Sequence, residues 1–109
     1  MESFSNFTYF LSRVPSNRLF RVELLVHGNR IESNGTWDIA RALKRFPNLE
    51  VFKFDGYFNH IKTQGAKPIT ILLQKLTKLR HLSLDFDLNY IENEGGRLLG
   101  SSIHFLNNL

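Results

Sequence analysis

The sequence predicts an α/β fold built from stacked strand–turn–helix units, with parallel strands on one face and helices on the other. Three observations lead there. The chain repeats itself every thirty residues, each copy switches its hydrophobic period midway, and the same asparagine, isoleucine and glycine recur at the switch.

The repeat is clearest in the stretch "LRHLSLDFDLNYIENEG", which begins at Leu79. A step of thirty residues aligns Leu79 with Leu49 and Leu19, Leu82 with Phe52 and Val22, and Leu84 with Phe54 and Leu24. The same step aligns Asn89, Asn59 and Asn29, then Ile91, Ile61 and Ile31, then Gly95, Gly65 and Gly35. In the second half it aligns Leu99 with Ile69 and Ile39, Ile103 with Leu73 and Leu43, and Leu106 with Leu76 and Phe46. Nine columns keep their character without a gap, which sets the units at 19–48, 49–78 and 79–108.

Taken in order, the first element is a helix without a strand. Phe7, Leu11 and Val14 are spaced four and three, so about residues 3–14 form a helix, and 1–18 reads as a degenerate N-terminal cap on the first unit. Phe4, Tyr9 and Phe10 add aromatic surface there. Each full unit then opens on a strand, because its apolar residues alternate with a period of two. The expected strands cover about 21–26, 51–55 and 81–86 and pair in parallel. The spacing of four and three in Ile39, Leu43 and Phe46, repeated twice more, then marks one face of a helix. Neither element can bury its apolar face alone, and stacking the units joins all of them in one core.

The asparagines sit where the chain leaves each strand. A bend there strands backbone groups, and a carboxamide both donates and accepts. Asn29, Asn59 and Asn89 therefore read as a structural ladder, with Ile31, Ile61 and Ile91 plugging the core behind it. Gly35, Gly65 and Gly95 are expected just before each helix, at a tight turn or a close backbone approach. Two positions break the pattern. Gly56 replaces the apolar Val26 and Phe86 and should loosen the end of the second strand. Pro68 should fall in the first turn of its helix, where a missing N–H is tolerated.

These motifs resemble a leucine-rich repeat of the ribonuclease-inhibitor-like class. "LRHLSLDFDLNYIENEGGRLLGSSIHFLNNL" looks like one such unit, with Leu84, Phe86, Asn89 and Ile91 supplying the LxLxxNxL core. The likeness covers residues 19–109 and implies a leucine-rich-repeat solenoid, a horseshoe segment with strands on the concave face and helices on the convex face. The thirty-residue period is similar to that of the long ciliate-type arrays, some of which accompany a kinase domain. Leu109 then stands at the start of a missing fourth unit. On that reading Leu82, Leu84, Leu99, Ile103 and Leu106 lack a neighbour, and the bare third strand invites self-association through the uncapped C-terminal end.

Composition limits the function. The 109 residues contain no cysteine, so neither a disulfide scaffold nor a zinc–thiolate site is available, and a reducing, cytoplasmic setting is expected. No apolar run approaches the ~18 residues of a membrane span, and "MESFSNFTYFLSRVPSNR" lacks the build of a signal peptide. There is no phosphate loop, nucleophile elbow or metal-ligand spacing, so no catalytic residue, cofactor or metal is assigned. His81, Asp85 and Asp87 share a strand face and read as solvated groups.

The candidate site is the concave sheet face. Its outward rows are Glu23, Lys53 and Ser83, then Leu25, Asp55 and Asp85, then His27, Tyr57 and Asp87. Apolar and aromatic groups ringed by charges suit a protein partner, and Glu23 and Lys53 are placed to pair. The resulting expectation is a non-catalytic protein-interaction module. The alternative is a structural segment of a longer array whose function lies elsewhere in the parent chain. Nucleic-acid binding is the minor reading. The formal charge is +4, but Arg41, Lys44, Arg45, Lys75, Lys78 and Arg80 cluster at helix ends, where they complement the helix dipole. No aromatic residues interleave with them as base-stacking platforms. Trp37 is expected to pack at the first turn of its helix.

Overall fold

The computed structural model describes residues 9–103, apart from 27, 29, 58 and 88, together with 106 and 109. Three strands, β1 (Arg21–Leu25), β2 (Val51–Asp55) and β3 (His81–Asp85), alternate with three helices, α1 (Glu32–Leu43), α2 (Thr63–Lys75) and α3 (Asn93–Ile103). The strands form one parallel sheet in the order β1-β2-β3. Its register matches the sequence repeat residue for residue, since Val22 faces Phe52 and Phe52 faces Leu82. Helix α2 packs between α1 and α3 in a second layer. The whole is a slab of 34 × 34 × 17 Å.

The core lies between the layers, and the middle unit forms its centre. Phe52, Phe54, Ile61, Ile69, Leu73 and Leu76 are all buried. Their counterparts one unit on are less covered: Leu82, Leu84, Ile91 and Leu99 are half-buried, and Ile103 is 40% exposed. Leu106 departs from the sequence expectation, because it is buried. At the other end residues 9–12 are helical, and Leu11 is buried in the core. The Arg45 guanidinium, just past α1, donates to Leu11 O at 2.8 Å and to Val14 O at 3.4 Å, which anchors this segment. Residues 3–8 of the expected cap helix lie outside the described residues.

Three local expectations need correction. Gly35, Gly65 and Gly95 lie inside the first turns of α1, α2 and α3 and not ahead of them. Their role is close approach: a Cβ on Gly65 would stand 2.6 Å from Ile61 Cγ2 and 2.9 Å from Thr36 Oγ1. Gly56 does not loosen β2. The Phe54 ring occupies the space a side chain would take, since a Cβ on Gly56 would lie 2.4 Å from Phe54 Cε1. Gly56 N–H donates to Asp85 O at 2.8 Å, so the chain stays paired beyond the strand. Pro68 is buried inside α2, past its first turn, because the helix starts at Thr63.

Candidate protein-binding surface

The open face of the sheet carries the predicted rows in register. Glu23 faces Lys53, and Lys53 faces Ser83; Leu25 faces Asp55, and Asp55 faces Asp85. Alternation puts these side chains opposite the core-facing Val22, Phe52 and Phe54. Leu25 is 69% exposed and Tyr57 41%. Asp87 is exposed next to them, while His27, the remaining member of its row, lies outside the described residues.

Glu23 is the electrostatic centre of the face. Its carboxylate accepts from the Arg21 guanidinium two residues back on the same strand, and Lys53 Nζ stands 3.6 Å away on the next. The Arg21 hydrogen bond, with charge attraction from Arg21 and Lys53, holds the Glu23 carboxyl below its ordinary range. Arg21 escaped the sequence reading, which began its outward rows at Glu23. The alternation itself contained the signal, because Arg21 is the odd-numbered residue before it.

Two of the acidic residues have a second task. Asp55 Oδ1 accepts Tyr57 N–H at 3.2 Å, and Asp85 Oδ1 accepts Asp87 N–H at 2.9 Å. Each carboxylate thus closes a local turn as the strand ends. His81, Asp85 and Asp87 do not converge; among the described residues no three such side chains could hold a metal ion.

Behind the face, the asparagine ladder fixes the turns. Asn59 is buried, and its Nδ2 reaches Val26 O at 2.8 Å in the preceding unit, and Gly56 O at 3.0 Å and Tyr57 O at 3.2 Å in its own. Its Oδ1 accepts Ile31 N–H at 3.3 Å. Asn89 repeats the pattern one unit on, donating to Gly56 O at 2.7 Å and accepting from Asn59 N–H and Ile61 N–H. Asn59 and Asn89 therefore each complete the turn of the preceding unit. Asn29 lies outside the described residues. A second ladder was missed in the sequence. Ser33 Oγ accepts Lys62 N–H at 3.3 Å, and Thr63 Oγ1 accepts Glu92 N–H at 3.2 Å. Here each hydroxyl serves the unit after it. Ser33 and Thr63 are thirty residues apart, so the repeat contained that signal too.

The helix side offers a smaller feature. Trp37 lies beyond the first turn of α1, which corrects the sequence expectation, and is half-buried with the Arg41 guanidinium 5.9 Å from its ring. With Pro68 and Ile71 of α2 it lines a shallow groove edged by Arg41, Lys44 and Lys75. Two cations of the basic cluster are already engaged. Arg41 pairs with Asp38 at 2.9 Å, and Lys78 Nζ donates to Asn48 Oδ1 at 2.8 Å.

No family model, curated protein or solved structure matches the chain. Among the described residues no helix is long and apolar enough to cross a membrane.

Proposed function

We propose that this chain is a non-catalytic protein-interaction module of the leucine-rich-repeat type, a horseshoe segment that binds a protein partner through its open sheet face. The observation that supports this most is the pairing of in-register, exposed rows with a rigid backing. Leu25 and Tyr57 offer apolar contact beside Glu23, Lys53, Asp55 and Asp85, while the ladder behind them keeps the turns fixed. A preformed face loses little freedom on binding. A cytoplasmic location belongs to the same reading, on the strength of the cysteine-free sequence.

The test is affinity capture followed by pairwise binding of the purified partner. Wild type is compared with a sheet-face variant, Leu25→Asp with Tyr57→Ala, and a helix-face variant, Ile71→Asp. The expected result is a directly binding protein whose affinity falls at least about tenfold with the sheet-face variant only. Loss with the helix-face variant alone would overturn the reading. The half-buried Leu82, Leu84 and Leu99 favour a second reading, a structural segment of a longer repeat array with the function elsewhere in the parent chain. That reading gains if no protein contact depends on the sheet face.

A further inference from the structure

Among the described residues no strand pairs with the outer edge of β3, and the chemistry of that edge selects an occupant. In a parallel ladder, successive residues turn their backbone groups to alternate neighbours. Asp85 turns its carbonyl to Gly56, beside β2, so Leu82 and Leu84 turn N–H and C=O to the outer edge. Their side chains, on the core side, are half-buried where Phe52 and Phe54 are 0% and 1% exposed. Outward-turned backbone above half-buried apolar groups is a template for another strand.

Charge is distributed unevenly along that template. On the open face His81 stands at its start and Asp85 at its end. A strand with an imidazole at one end and a carboxylate at the other complements itself when reversed. We propose that the occupant is a second copy of this chain, joined β3 to β3, antiparallel, about a two-fold axis at Ser83.

In this register Leu82 of one copy faces Leu84 of the other, and both residues turn their backbone groups outward. These two pairs exchange the hydrogen bonds of the ladder. Ser83 faces Ser83, and His81 faces Asp85, as the close pairs without hydrogen bonds, whose side chains stand nearest. The sheet becomes six strands, and Leu82 and Leu84 of both copies close over one another on the core side. Arg80 of one copy comes opposite Phe86 of the other, beside an open cleft lined partly by Ile103 and Leu109. Head-to-tail docking of β1 on β3 lacks this match. A parallel strand in the sheet's own register would set Arg21 beside His81.

Two measurements test the proposal. The chain has no cysteine, so Ser83→Cys introduces a single thiol at the axis. A close pair brings the two Cα atoms to about 4.5 Å, within the range of a disulfide. Mild oxidation should convert Ser83→Cys to a covalent dimer, and Lys53→Cys, on the central strand, should stay monomeric. In sedimentation across a wide concentration range, wild type should associate no further than a dimer. His81→Asp and Asp85→Arg should each weaken it at least about tenfold, and the double variant, with the charges exchanged, should recover most of the loss. These residues lie on the open face, and circular dichroism checks that each variant is folded. A wild type that stays monomeric at the highest concentration, growth beyond a dimer, or equal cross-linking of both cysteine variants would overturn the proposal.

Discussion

Asn89 Oδ1 accepts the N–H of Ile61 at 2.8 Å and that of Asn59 at 2.9 Å, both a full unit upstream. The side chain of one unit is thus a backbone partner of another. Four expected outcomes follow from contacts of this kind.

Asn59→Ala takes the side-chain partner from Val26 O, in a half-buried residue, and from the buried Ile31 N–H. The expected loss is ~1–3 kcal/mol. Urea unfolding measures it, and a loss of a few tenths would mean that the carboxamide is dispensable.

Gly65→Ala and Gly96→Ala should have opposite signs. Alanine is the better helix former by roughly 1 kcal/mol. At Gly65 the new Cβ meets Ile61 Cγ2 at 2.6 Å, so overpacking of about 1–3 kcal/mol dominates. At Gly96 nothing lies within 4 Å, so the propensity gain remains. Thermal melts of the two variants should move in opposite directions from wild type.

Glu23 should add a pH dependence to stability. Its folded carboxyl titrates below its unfolded value, chiefly because of the Arg21 hydrogen bond. The unfolded chain therefore takes up a proton first as pH falls. The contribution is fully present above the unfolded pKa and is lost as pH falls through the folded one. The difference in melting temperature between wild type and Glu23→Gln should shrink between neutral pH and about pH 3. A difference that stays constant would mean that the pairing does not discriminate between the two states.

Arg45→Met should release the N-terminal segment. The guanidinium bonds to Leu11 O and Val14 O are lost, while the aliphatic stem is largely kept. Hydrogen exchange at residues 10–14 should accelerate, with little change at β2. Unchanged protection would assign the anchoring to the burial of Leu11 instead.

Much of this architecture was legible because it depends on periodicity. Leu82 and Leu84 are two apart, Leu99 and Ile103 four apart, and such intervals report the face of a strand or helix directly. The register of β1, β2 and β3 followed from the thirty-residue step, and their parallel order from the strand–helix–strand alternation. What escaped depends on where a side chain swings. Gly56 read as a defect because a sequence does not say that the Phe54 ring turns into the neighbouring space. Asp55 and Asp85 read as surface charges because a carboxylate bonded to an N–H two residues on looks the same in letters as a solvated one. The glycines were placed ahead of the helices because close packing and tight turning require the same residue. In the candidate site, the rows Glu23–Lys53–Ser83 and Leu25–Asp55–Asp85 were readable, and alternation also put Arg21 on the face of Glu23, though not the hydrogen bond between them.

The two ladders run in opposite directions, and that settles how the three units can come apart. Peeling away the third exposes Asn59 N–H and Ile61 N–H, which Asn89 had served. Peeling away the first removes the Ser33 hydroxyl from Lys62 N–H and strips the Asn59 carboxamide of Val26 O and Ile31 N–H. Damage at either margin is therefore transmitted to the middle, with no seam at which the molecule divides cheaply. Short stacked units often fray from their margins inward. This one is wired to resist that, and heat should remove all three together in a single cooperative step.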